Sequence, residues 1–229
     1  MSLDYDAIHK QAATAIAESL ARFKLRHWGF VMIRCTYASQ AKWDKFMALA
    51  KQYTYGYFEE RGMSEVYERL LWTVIEDPAT LDGASLLEAS RRFSEYDWVE
   101  VDPQGRKEGW DEEMGTWLNF PRYLFYLYVD DESLESVVDE ERAELGDADC
   151  LKAVWADSVI SREVDRLADL EAGEEEEEYE GYESKDEERM MLDLRKKVRI
   201  SELADLYAAL LRPDSWYYIG TDDDGVCLI

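Results

Sequence analysis

Trp28-Gly29-Phe30-Val31-Met32-Ile33-Arg34-Cys35-Thr36-Tyr37 is the stretch that decides the fold. It is dense in aromatic and β-branched residues, and polar Ala38-Ser39-Gln40 follows it, which predicts a strand over 28–37. Read with a period of two, Phe30 and Met32 share one side with Arg34 and Thr36, and Val31, Ile33, Cys35 and Tyr37 share the other. Both sides are largely apolar. A strand of that kind is covered on both faces and belongs inside a sheet.

Upstream, Ile8, Ala12, Ala15, Ile16, Leu20 and Phe23 recur at steps of three and four, the stripe of an amphipathic helix over residues 1–25. Downstream, Trp43, Phe46, Met47, Ala50, Tyr53 and Tyr57 keep helical spacing, and Gly62 is placed to end that helix. Residues 69–75 (Arg-Leu-Leu-Trp-Thr-Val-Ile) read as a second strand closed by Glu76-Asp77-Pro78. Ser85-Leu-Leu-Glu88 has the spacing of a capping box and opens a helix that buries Leu86, Leu87, Ser90 and Phe93. Residues 102–121 are polar, with three glycines and Trp110 and Trp117, and read as a long loop or lid.

Residues 122–129 (Arg-Tyr-Leu-Phe-Tyr-Leu-Tyr-Val) give the strongest strand pattern, ending at Asp130-Asp131. A short helix is expected from Ser133, and a weaker fourth strand over 150–156 ends at Asp157. Residues 171–188 hold eleven acidic residues and one lysine, a composition that buries too little to order itself, so this is an acidic flexible loop. A helical region through Met190, Met191, Leu194 and Val198, then Leu203, Leu206, Tyr207, Leu210 and Leu211, is stopped by Pro213.

Together these elements predict one domain over 1–229 of α+β class. Its 28–160 core is a ferredoxin-like variant with a sheet of about four strands, flanked by an N-terminal helix and a C-terminal helical region over 189–212. With helices on one side only, such a sheet leaves a second apolar face to be covered. At least one of the two terminal helices is expected there.

The phrases Trp28-Gly29-Phe30-Val31, Arg34-Cys35-Thr36-Tyr37, Trp72-Thr73-Val74-Ile75-Glu76-Asp77, Leu81-Asp82-Gly83-Ala84-Ser85 and Pro121-Arg122-Tyr123, with Tyr128-Val129-Asp130, resemble a large group of uncharacterised proteins of filamentous fungi. The resemblance spans roughly residues 28–160. It implies an intracellular compartment and brings no activity with it.

Composition narrows the function classes. The chain has 229 residues, 47% apolar, with 52 Asp and Glu against 26 Lys and Arg, a formal charge of −26. That charge repels phosphate backbones and anionic lipid, which excludes a general nucleic-acid or membrane-surface binder and favours basic partners. Three widely spaced cysteines, Cys35, Cys150 and Cys227, fit reduced thiols of a cytoplasmic or nuclear protein. The first 25 residues have no uninterrupted apolar core such as a signal peptide needs.

No catalytic signature is legible. His9 and His27 sit beside no nucleophile, and Asp222-Asp223-Asp224-Gly225 lacks the alternation and distal Glu of a calcium loop and reads as an acidic tail. The leading expectation is a non-catalytic binding or protein-interaction protein with no cofactor. Its acidic run would meet a basic protein, or Trp110 and Trp117 would line a site for a small apolar ligand. The competing expectation is a small-metabolite enzyme with a pocket on the sheet. Arg34, lying in an apolar strand, would meet an anionic group, and the strand-end carboxylates Glu76, Asp77, Asp130, Asp131 and Asp157 would act with it, with Mg²⁺ or Mn²⁺ as a further option. Turn chemistry is the plainer account of those carboxylates, because strands of opposite direction put their ends on opposite edges.

Overall fold

A computed structural model describes residues 5–95, 110–111, 116–117, 120–139, 150–156, 195–222 and 226–227. The strand read over 28–37 is β1, Val31–Arg34, all four residues buried. The strand read over 69–75 is β2, Thr73–Ile75, with an isolated bridge from Trp28 to Leu70 extending the pair backwards. Two further short strands, β3 (Trp110–Asp111) and β4 (Thr116–Trp117), form a separate antiparallel hairpin inside the stretch read as a loop. The remaining strands are β5 (Phe125–Val129), β6 (Cys150–Trp155) and β7 (Arg195–Arg199).

The main sheet is mixed and five-stranded, in the order β2-β1-β5-β6-β7. β1 pairs parallel with both β2 and β5, and β6 is antiparallel to β5 and β7. The α+β class holds. The split βαβ order of a ferredoxin-like sheet, however, has no run of three parallel neighbours, and the strand count is five rather than about four.

The extra strand is β7, where the sequence pattern reads as helix through Val198. Arg and Lys are good helix formers, so local preference favours that reading. Pairing overrides it: from Arg195 to Arg199 every residue is matched across to Val154 through Cys150, and Val198 alone of the five is fully buried. The helical pattern resumes only at the 3₁₀ turn Ile200–Glu202 and the helix Leu203–Ala209.

Eight helices are described: α1 (Tyr5–Arg22), α2 (Gln40–Glu59), α3 (Ser64–Tyr67), α4 (Pro78–Leu81), α5 (Leu86–Ser94), α6 (Pro121–Leu124), α7 (Asp131–Val138) and α8 (Leu203–Ala209). α2 ends as its glycine predicts, with Gly62 at φ +65 and the Met63 amide reaching back to Phe58 O at 2.9 Å. The capping box of α5 is formed on both sides, Ser85 Oγ accepting from the Glu88 amide and the Glu88 carboxylate accepting from the Ser85 amide. The strand read over 122–129 loses its first residues to α6, where Pro121 takes the first helical position.

Both sheet faces are filled. On one, Met32, Phe125, Leu127, Val129, Leu151 and Ala153 share a core with buried residues of α1, α2, α7 and α8. On the other, Val31, Ile33, Tyr126, Tyr128 and Val154 meet Leu81, Ala84, Leu86, Ala89 and Phe93 of the α4–α5 segment. The expectation that a terminal helix covers the second face is therefore corrected. α1 and α8 pack against each other on the α2 side, and α5 has the stronger claim to the second face because its crossover from β2 to β5 must pass over β1.

The amino ends of the three parallel strands are tied by one buried side chain. Arg122, 2% exposed, donates from Nη1 to Gly29 O at 3.0 Å and Leu71 O at 2.8 Å, and from Nη2 to Thr73 Oγ1 at 2.5 Å. Gly29 stands at φ +116, where a Cβ would lie 2.8 Å from Leu70 Cδ1 and 3.1 Å from Leu71 O. Only glycine fits that conformation and that approach.

Candidate functional site

Because β1, β2 and β5 run parallel, their carboxyl ends share one edge, and the sequence argument that separated them is overturned by strand direction. Arg34, Glu76, Asp77, Asp130 and Asp131 all follow or end these strands. The strand order reverses at β1, the place where open sheets with parallel strands hold their ligands. Asp157 and the acidic run over 171–188 lie outside the described residues.

What the edge does with these groups is bind them to one another. Arg34 is 3% exposed. Its Nε donates to Thr36 O at 2.8 Å and its Nη1 to Gln40 Oε1 at 3.0 Å, with Glu76 Oε1 3.5 Å from Nη1. The guanidinium lies 4.5 Å from the Tyr37 ring centroid and 4.6 Å from that of Trp43, between two aromatic faces. A charged side chain in an apolar strand is thus satisfied by its own β1–α2 turn.

Asp130 belongs to a second cluster. One carboxylate oxygen accepts from the Ser133 amide at 2.9 Å and caps α7. The other accepts from Lys152 Nζ at 2.5 Å, and Glu132 accepts from the same ammonium at 2.7 Å. Lys152, 5% exposed in the middle of β6, is the group sequence reading missed. A signal was there: a lone lysine inside Cys-Leu-Lys-Ala-Val-Trp has to find a carboxylate if the strand is central.

The other members are also occupied. Asp77 caps α4, accepting from the Ala79 amide at 3.1 Å and from Thr80 Oγ1 at 2.8 Å, and these bonds hold its carboxyl below the ordinary range. Asp131 accepts from the Thr36 hydroxyl, bridging the β1 and β5 ends. Gly83 N donates to Cys35 O at 3.0 Å and Tyr128 Oη to Ala84 O at 2.5 Å, so the α4–α5 linker is pinned over the same edge. Burial, with Asp130 and Glu88 nearby, pushes the Cys35 thiol up to about 12, far from the thiolate a nucleophile needs.

Among the described residues no group of three His, Cys, Asp or Glu side chains is placed to hold a metal ion. Nor is any described helix long and apolar enough to cross a membrane. No protein-family model matches this chain, and neither a curated protein nor a solved structure matches it.

The Asp130–Lys152–Glu132 cluster sets an acid dependence. Burial alone would raise the Asp130 carboxyl, but the Lys152 and Ser133 bonds outweigh it and the net direction is down. Glu132 is lowered chiefly by Lys152. Carboxyls with depressed folded-state values stabilise the fold above their unfolded values and lose that contribution as pH falls through the folded ones. Acid unfolding followed by circular dichroism should therefore show an Asp130→Asn variant less stable than wild type at neutral pH, with the gap closing below the ordinary carboxylate range. A gap that stays constant well below that range would show that the cluster does not couple to folding.

Proposed function

We propose that this is a non-catalytic intracellular binding protein whose partner is a basic protein. One observation carries the reading: at the edge where an enzyme of this topology would do its chemistry, the described polar groups are consumed by one another. Arg34 is held by Thr36, Gln40 and Glu76, and Asp130 and Glu132 share Lys152. Both sheet faces beneath are packed with apolar side chains. Such an edge supports recognition by its outer surface, where Glu76, Asp77, Asp82, Glu88 and Glu132 are accessible, rather than turnover within it.

A chain of charge −26 attracts a cationic partner at long range, with on-rates that fall as salt rises. The kinship with the fungal group suggested by residues 28–160, and a cytoplasmic or nuclear setting, belong to the same proposal. Two titrations test it. A lysine-rich peptide should bind the full chain and lose affinity steeply between low and physiological ionic strength. Sub-millimolar Mn²⁺ should leave the melting temperature in place. A shift of several degrees with Mn²⁺, abolished in Asp130→Asn, would replace this reading with a metal-dependent one.

A further inference from the structure

Resting on the basic partner proposed above, we infer that the carboxyl-terminal half of α2 is a contact for the ammonium of a partner's lysine side chain, formed by Tyr53, Tyr55 and Glu59 around Gly56. Tyr53 and Tyr55 are 38% and 41% exposed, two of the four large hydrophobic side chains that stand in solvent among the described residues. The other two, Tyr217 and Tyr218, adjoin Trp216, whose ring already has Lys196 Nζ 5.4 Å from its centroid.

Gly56 lies between the two tyrosines without a backbone reason. Its φ is not in the left-handed region, and a Cβ built on it would meet nothing within 4 Å. Glycine inside a helix destabilises it relative to alanine, so what this position supplies is a bare stretch of helix surface. At about 100° per residue, Tyr53 lies about 60° to one side of Gly56 and Glu59 about 60° to the other. The result is a shallow notch with an aromatic wall and a carboxylate wall.

Tyr55, on the Glu59 side, is held in place before any partner arrives. Its Oη donates to Glu59 Oε1 at 2.5 Å, and its ring meets that of Tyr67 edge to face, with centroids 5.2 Å apart and planes at 79°. Tyr67 is itself packed on the core. A ring fixed in this way loses little rotamer freedom on binding. The Glu59 carboxylate has two acceptor oxygens, and this bond uses one. A cation within about 6 Å of a ring centroid is attracted by the ring quadrupole, and a carboxylate beside it adds to that attraction. Elsewhere the chain fills such places itself: Arg61 folds back over Tyr57, 3.9 Å from its centroid, and Arg34 lies between Tyr37 and Trp43.

Charge chooses the occupant. Between positions 51 and 68 the exposed carboxylates Glu59, Glu60, Glu65 and Glu68 face only Lys51 and Arg61, and Arg61 is engaged by the ring and carbonyl of Tyr57. A second copy of a chain of charge −26 brings like charge to this face, whereas a lysine-rich protein brings the opposite sign.

The test is calorimetric titration of the full chain with a lysine-rich peptide at about 0.15 M salt, where attraction beyond about 8 Å is largely screened and close contacts carry the affinity. Tyr55→Leu keeps apolar area and loses the ring face, and should weaken binding about threefold to tenfold, while Tyr55→Phe should stay within about twofold of wild type. Gly56→Gln fills the notch with a better helix former, so its melting temperature should hold or rise while its affinity falls about as far. Wild-type affinity in either Tyr55→Leu or Gly56→Gln overturns the inference and leaves the basic-partner reading standing. Tyr55→Phe weakened as far as Tyr55→Leu overturns it too, since the hydroxyl and not the ring face would be responsible. Binding that exists at low salt and vanishes at about 0.15 M overturns the inference alone; no binding at either overturns the reading with it. A concentration-dependent dimer in light scattering that Tyr55→Leu dissociates makes the occupant a second copy, and overturns the inference as well.

Discussion

Replacing Arg122 with leucine is expected to cost about 3–5 kcal/mol of stability, from roughly 1–3 kcal/mol for each buried group left without its partner. Three acceptors are involved: Gly29 O at the amino end of β1, and Leu71 O and Thr73 Oγ1 at the amino end of β2. Leucine roughly fills the aliphatic part of the space and donates nothing. Urea unfolding should show a lower midpoint with an unchanged slope, as the folded state loses bonds and not compactness. Lysine at 122 restores the charge without the planar fork and should recover only part of the loss. A midpoint within the error of wild type for Arg122→Leu would mean that solvent reaches those carbonyls.

Gly29→Ala is expected to be comparably severe, at about 3 kcal/mol or more. The backbone at φ +116 costs an L side chain roughly 1–3 kcal/mol, and the new methyl must displace Leu70 Cδ1 at 2.8 Å while pressing on Leu71 O at 3.1 Å. Leu70 can turn; the Leu71 carbonyl is held by Arg122 and cannot yield without losing that bond. The two substitutions therefore act on one junction. Their combined cost should fall short of the sum, and a thermal or urea double-mutant cycle reads the shortfall directly. Full additivity would separate the glycine's conformational role from the arginine's bonds.

That junction shows how far the sequence reached. Trp28-Gly29-Phe30 and Pro121-Arg122-Tyr123 stand out as phrases, yet neither says that they meet: their contact spans 93 residues and exists only once β1 and β5 lie side by side. The same holds at the other end of the strands. Arg34 in an apolar strand demanded a partner, but whether that partner was a ligand or Gln40 of the next helix depended on the tightness of a turn.

Local chemistry by itself determined a good deal. The capping box at Ser85, the glycine stop at Gly62, the strand at Val31–Arg34 and the helical stripe of α1 each follow from interactions within a few residues, so composition and spacing suffice to predict them. Three features belonged to the tertiary structure. Arg195–Arg199 is a strand because β6 offers it a ladder worth more than its own helical preference. The strand-end carboxylates share an edge because the crossovers through α2 and α5 make β1, β2 and β5 parallel, and direction leaves no mark in the pattern of a strand buried on both faces. Lys152 neutralises Asp130 and Glu132 because sheet pairing sets β6 beside β5, a juxtaposition of residues about twenty positions apart whose energy depends on distance and burial and not on sequence order.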